Sequence, residues 1–150
     1  MAHASKQARE SSAIMKVLNH IKLLLVLTVA ILSFSSCEQD DESIYYYIVD
    51  RTWVGDLGFA VGPYNVESGI TFKGNDYAID EQYYYADGGG GRAATLPVRW
   101  WIDMGTLYLD YGRDHPMLEI RGVYVSGRFL NGELYADGTY EFSVSLEMDN

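Results

Sequence analysis

The 150-residue chain has a single cysteine, Cys37, and only three prolines. One cysteine excludes an intrachain disulfide and a zinc site built on several thiolates. Histidine is also scarce, because His115 is the only one after Cys37. A transition-metal site would therefore have to consist of carboxylates, which those metals seldom use alone. We predict no bound metal and no cofactor.

Positive charge is scarce in the same part of the chain. Residues 38–150 contain twenty Asp and Glu against seven Lys and Arg, a net charge of −13. Such a surface repels the phosphates of nucleic acids and of anionic lipid headgroups. The composition therefore excludes nucleic acid as a partner.

Motifs for catalysis are missing as well. The chain has no Gly-x-Ser-x-Gly elbow and no Cys–His pair. The glycine run at residues 88–91 is followed by Arg92 and not by the Lys-Ser/Thr of a phosphate loop. His115 precedes Pro116, which predicts a solvated loop and not a catalytic triad. Among twenty acidic residues, two carboxylates lie near each other by chance, so such a pair is no evidence for catalysis. We therefore predict that the protein is not an enzyme.

Long apolar runs are limited to residues 23–34, a stretch of 12 residues. As a helix it would span about 18 Å, short of the ~30 Å hydrocarbon core of a bilayer. Lys16 and Lys22 precede it, and this layout is typical of a cleaved signal peptide at residues 15–36. Residues 1–14 are polar and fit no signal, so we expect translation to begin at Met15.

The sequence Phe34-Ser35-Ser36-Cys37 resembles the bacterial lipobox, although the first position of that box is usually Leu. The resemblance implies that Cys37 is acylated and that the mature chain is held on the outer membrane. Several acyl chains on one residue would make this attachment effectively permanent, whereas a single chain binds only marginally.

An acidic run follows Cys37. It resembles the export signal of Bacteroidetes surface lipoproteins, which implies exposure on the cell surface; the alternative is the periplasmic face. Clustered like charges also predict a solvated, extended tether at residues 37–43. The export-signal positions are Glu38, Asp40, Asp41 and Glu42.

Tyrosine and glycine are abundant, with 13 and 15 residues, which favours strands and tight turns. Residues 139–148 alternate apolar and polar side chains, the pattern of a half-buried strand. We predict an all-β domain at residues 44–150, an antiparallel meander of about eight strands closed into a barrel or a sandwich. The expected details are an opening strand at residues 45–53, a bulge at Gly122, and hairpin turns at residues 104–105, 131–132 and 137–138.

Aromatic and glycine motifs across residues 50–148 resemble small Bacteroidetes lipoproteins of unknown function, some of which are described as lipocalin-like. Those proteins usually have an acidic-Tyr pair where this chain has Arg121 and Gly122. The resemblance implies the fold and the location and brings no catalytic residues. Its motifs are Trp53-x-Gly55-x-Leu57-Gly58, Ile70-x-Phe72, Trp100-x-Ile102, Gly105-x-Leu107-x-Leu109-x-Tyr111, Ile120, Phe129-x-x-Gly132 and Phe142.

Consecutive aromatic residues supply the only candidate ligand contacts. Neighbouring strand residues face opposite sides, so each cluster must place at least one ring away from the core. Trp101, Tyr84 and Tyr46 are the candidates. We predict a surface-exposed binding or adhesion module for a glycan or a protein. The alternative is a structural lipoprotein that docks on another envelope protein.

Overall fold

The computed structural model describes residues 40–85 and 89–149, so Cys37 and the predicted signal peptide lie outside the described residues. The described part contains one helix, α1 (Asp41–Ile48), and nine strands. The strands are β1 (Thr52–Gly55), β2 (Ala60–Val61), β3 (Tyr64–Lys73), β4 (Tyr77–Tyr84), β5 (Arg92–Asp103), β6 (Thr106–Asp110), β7 (Leu118–Ser126), β8 (Phe129–Ala136) and β9 (Thr139–Met148).

The strands form a closed antiparallel barrel. From β3 to β9 each strand pairs with the next along the chain. The short β1 pairs with β3 on one side and β9 on the other, which closes eight strands into a barrel. Strand β2 is extra and pairs only with the first residues of β3. The predicted all-β meander is confirmed, and of the two proposed closures the barrel is the correct one.

Alternation along the strands fills the barrel interior. In β5 and β6, Val98, Trp100, Leu107 and Leu109 are buried, whereas Trp101 points outward, as the period of two predicts. The largest of the fully buried side chains come from α1, from six of the strands and from the loop after β1. They include Trp53, Trp100, Phe72, Ile44, Ile48, Ile70 and Ile120.

Helix α1 occupies part of the segment for which we predicted the opening strand. The prediction is wrong for residues 45–48 and correct for residues 52–53, which lie in β1. Asp40 caps the helix by accepting a hydrogen bond from the Ser43 N–H at 2.7 Å. Ile44 and Ile48 lie four residues apart on one helix face, and both are fully buried in the barrel. The three consecutive tyrosines favoured a strand, but the segment folds as a helix with both isoleucines on its buried face. Residues 41–43 of the predicted tether are therefore helical.

The predicted turns at residues 104–105 and 137–138 are confirmed, with positive φ at Met104, Gly105, Asp137 and Gly138. The turn predicted at residues 131–132 is wrong, because β8 runs straight through it. Glycine is needed there for another reason. A Cβ on Gly132 would lie 2.5 Å from Ile120 Cγ2 and 2.9 Å from the Arg121 carbonyl oxygen.

The predicted bulge at Gly122 is confirmed. Arg121 pairs with Glu133 and Tyr124 with Asn131, so two residues of β7 lie opposite Gly132 alone. A second irregularity, in β9, was not predicted. Leu134 pairs with Phe142 while Tyr135 pairs with Tyr140, which turns Tyr140 outward. The simple alternation predicted for residues 139–148 would bury Tyr140, and the irregularity shows that this part of the prediction is wrong.

The barrel has two different ends. At the helix-capped end lie α1 and the turns after β3, β5 and β7; at the loop end lie the connections after β1, β4, β6 and β8. Among the described residues, no helix has the length and apolar character needed to cross a bilayer.

Candidate binding sites

The β7 bulge produces a groove on the outside of the barrel. Gly122 has a positive φ, and a Cβ built on it would meet nothing within 4 Å. Because Gly122 places no side chain on the outer wall and the outward-facing residues of β9 are the short Ser143 and Ser145, a depression of about 510 Å³ remains there. We call it the outer-wall groove. It is lined by Arg121, Gly122, Tyr124, Asn131, Gly132, Glu133, Ser143, Val144 and Ser145.

Aromatic rings border this groove, and small polar groups form its floor. A second depression continues it past Tyr124 and Asn131 to Phe129. Tyr124 and Phe129 are 48% and 45% exposed, so both rings are available for contact. On the floor, the Ser145 hydroxyl lies 2.8 Å from Asn131 Oδ1, and Asn131 Nδ2 donates to the Phe129 carbonyl oxygen at 3.2 Å. These bonds hold the Asn131 amide in one orientation.

One charged residue of the groove is also held in place. Arg121 donates to Glu119 at 2.8 Å, and its guanidinium lies 3.8 Å from the centre of the Tyr135 ring. The hydrogen bond to Glu119 raises the pKa of Arg121, so the group stays charged over the physiological range. The groove thus offers a fixed cation, an amide, hydroxyls and two aromatic rings.

The three aromatic residues predicted from the sequence lie in three separate places. Trp101 is on the outer wall, stacked on Tyr108 with ring centres 5.0 Å apart. Tyr46 is on α1 at the helix-capped end and is 66% exposed. Tyr84 lies at the loop end of β4, in edge contact with Tyr64 at 6.2 Å. The structure does not bring the three residues together into one site.

A smaller pocket of about 270 Å³ opens at the loop end. His115 lies in its wall and is half-buried, with its ring 5.8 Å from Phe59 and 6.0 Å from Tyr111. His115 lies in a loop, as predicted, and the Phe59 and Tyr111 rings partly cover its side chain. The other walls are mainly apolar and include Leu57, Pro116, Leu118, Leu134 and Phe142. We call this the mouth pocket.

Below the Tyr111 ring lies a buried polar cluster. Asp80 is fully buried, and its Oδ2 accepts hydrogen bonds from Ser68 at 3.0 Å, Gln82 at 3.0 Å and Tyr111 at 3.1 Å. Its Oδ1 has no hydrogen-bond partner among the described residues. Burial raises the pKa of Asp80, against the opposing effect of the three donors. Burial, followed by the charge of Asp80, raises the pKa of Tyr111 well above its ordinary value.

The polar cluster is buried away from the mouth pocket. Asp80 Oδ1 is not accessible to solvent, and neither Asp80 nor Tyr111 is among the residues that line the pocket. In the described part of the chain, no group of three or more His, Cys, Asp or Glu residues is arranged to hold a metal ion.

Sequence reasoning missed both the groove and the cluster. The signal for the groove was present, since the change of alternation at Gly122 was identified as a bulge. The sequence did not show that this bulge lies opposite Gly132 of the neighbouring strand β8. The alternation of β4 places Asp80 and Gln82 on the inward face with Ala78. That pattern could have located the buried acid.

Comparison with known proteins adds no relative. No family model, curated protein or solved structure matches the chain.

Proposed function

We propose that this chain is a lipid-anchored binding module of the bacterial outer membrane that recognises a glycan in the outer-wall groove. The single observation that carries the proposal is the groove itself, with two exposed rings beside a polar floor. Sugar rings present apolar C–H faces that pack on aromatic rings, and hydroxyls that bond amide, hydroxyl and guanidinium groups. Tyr124 and Phe129 supply the first kind of contact, and Asn131, Ser145 and Arg121 supply the second.

The filled interior also supports an external ligand. Lipocalin-like barrels that hold a ligand inside need an open cavity, whereas Trp53, Phe72 and Trp100 fill the helix-capped half of this barrel. Anchoring through Cys37 and exposure on the cell surface remain part of the proposal, supported by the lipobox-like sequence and the acidic run after it. Asp40 and Asp41 of that run also have structural roles, as the helix cap and as a bond to the β5–β6 turn.

The test is binding of the purified lipoprotein, in detergent micelles, to a glycan array. We expect Tyr124→Ala and Phe129→Ala each to weaken binding about tenfold or more, because each removes a ring that contacts the sugar. Tyr140→Ala is the matched control, since Tyr140 is 51% exposed yet lies outside the groove. Equal loss in all three variants, or no binding to any glycan, would refute the glycan proposal.

A partner protein is the second candidate ligand. The stacked Trp101–Tyr108 pair supports it, because Tyr108 covers one face of the indole and leaves less ring area for a sugar. Under this alternative Trp101→Ala removes capture of an envelope protein and Tyr124→Ala does not. Under the glycan proposal Trp101→Ala leaves binding to the array unchanged.

The anchor has a separate test. Cys37→Ser should move the protein from the membrane fraction to the soluble fraction, because the thiol that takes the lipid is gone. Retention of this variant in the membrane fraction would refute acylation at Cys37.

A further inference from the structure

Helix α1 is fixed to the barrel at the end where the chain arrives from Cys37. The Asp41 carboxylate accepts hydrogen bonds from the backbone N–H groups of Met104 at 2.9 Å and Gly105 at 2.8 Å. The Tyr45 ring stacks on Trp100 with centres 5.2 Å apart, and its hydroxyl donates to the Gly74 carbonyl oxygen at 3.1 Å. The chain is therefore held to the barrel from Asp41 onward.

The outer side of this end carries large exposed side chains. Tyr46 lies on the helix face opposite Ile44 and Ile48 and is 66% exposed. Tyr47 is 47% exposed, and Met104, at the tip of the β5–β6 turn, is 90% exposed. Two cations at the same end, Arg51 and Lys73, are also exposed. We call these five residues the anchor-side rim.

This composition suits the boundary between lipid and water. Tyrosine places an apolar ring and a hydroxyl at the headgroup level, and methionine adapts to irregular apolar surroundings. Arg and Lys reach the headgroups while their stems lie on apolar surface. Glu42 on the outer face of α1, and Asp50 and Asp76 at the same end, are also exposed, so this end fits zwitterionic headgroups better than anionic ones.

The length of chain before α1 limits how far the rim can lie from the anchor. Three residues, 38–40, separate Cys37 from Asp41, a reach of at most about 14 Å when fully extended. We infer that the anchor-side rim rests on the lipid surface that holds Cys37, which turns the loop end of the barrel outward. The inference rests on the proposed acylation of Cys37, and the groove then opens sideways, parallel to the membrane.

The test uses site-specific fluorescence in proteoliposomes. Because Cys37 is the only cysteine and would be blocked by lipid, one added cysteine can be labelled alone. The processed lipoprotein with Met104→Cys, and separately Asp114→Cys at the loop end, is labelled with an environment-sensitive dye. The vesicles contain phosphatidylcholine and phosphatidylethanolamine with a headgroup spin label as quencher. We expect the dye at position 104 to lose most of its fluorescence and the dye at position 114 to lose little.

A double substitution, Tyr46→Ser with Tyr47→Ser, sharpens the result. It should reduce quenching at position 104 without releasing the protein from the vesicles, because the acyl chains remain. Equal quenching at positions 104 and 114 in protein that sediments with the vesicles would overturn the inference and leave the anchor intact. Failure of the lipoprotein to sediment would overturn the anchor and the inference together.

Discussion

The two halves of the barrel interior differ in chemistry although the same strands line both. In the helix-capped half, Trp53, Phe72, Trp100 and the two isoleucines of α1 are fully buried and apolar. The loop half of β3 and β4 instead buries Ser68, Asp80 and Gln82. The helix explains part of the difference, because α1 closes one end with apolar side chains. The first half supplies stability, and the second carries a buried acid that costs stability when it is charged.

The largest effect is expected at Trp100 in the helix-capped half. Trp100→Ala removes the ring that contacts Tyr45 and Phe72, and the indole N–H that bonds the Lys73 and Tyr77 carbonyl oxygens. We expect a loss of about 3–5 kcal/mol in the free energy of unfolding, measured by urea denaturation. The control is its neighbour on the outer wall, since Trp101→Ala should cost about 1 kcal/mol or less. Similar losses in both variants would contradict the assignment of Trp100 to the core.

The second-largest effect is expected where Asp41 joins α1 to the barrel. Asp41→Ala removes two hydrogen bonds from backbone N–H groups of the β5–β6 turn to a carboxylate. We expect a loss of about 1–3 kcal/mol in the free energy of unfolding, together with faster amide exchange in α1. Glu42→Ala, at the exposed next position, should change stability by only about 0.5 kcal/mol. An unchanged exchange rate in the Asp41 variant would show that α1 docks without this contact.

The loop half should respond to pH. Because the pKa of Asp80 is raised in the folded state, folding favours its protonated form, and this contribution to stability is present at low pH. It is lost as the pH rises from the ordinary carboxyl value through the raised folded value. Asp80→Asn mimics the protonated side chain, so it should match the wild type at pH 4 and exceed it near neutral pH by on the order of 1 kcal/mol. Thermal denaturation of both proteins across this range checks the prediction.

A parallel pH profile for the two proteins would contradict the prediction, because it would mean that Asp80 does not titrate differently in the folded and unfolded states. Glu133→Gln is the matched control on the outer wall. Glu133 is exposed, so replacing its carboxylate should change the free energy of unfolding by about 0.5 kcal/mol or less.

Local pattern identified most strands but not the helix. The alternation in β5 predicted that Trp100 faces the core and Trp101 faces outward, because strand side chains have a period of two. The same reasoning failed at residues 45–48, where three tyrosines favour a strand. The contacts that hold α1 join Asp41 to Met104 and Gly105, more than 60 residues along the chain. No local period records such a contact.

The candidate site shows the same limit. A bulge at Gly122 could be predicted from a single strand, whereas the outer-wall groove also needs the serines of β9 beside it. Tyr124 and Phe129 were not among the predicted aromatic residues, since nothing in their own segments distinguishes them from other exposed rings. Trp101, Tyr84 and Tyr46 were chosen for their clusters, and the barrel separates them.

The sequence by itself determined the antiparallel meander and the inward faces of its central strands, because hydrophobic alternation and turn residues act over a few positions. It also contains the apolar run at residues 23–34 and Cys37, from which the proposed leader and anchor derive. Only the tertiary structure decided that residues 41–48 form a helix, that Asp80 is buried with one oxygen that has no partner among the described residues, and that the β7 bulge opens a groove beside the serines of β9. Each of these depends on barrel closure, which brings together residues that are far apart in the chain.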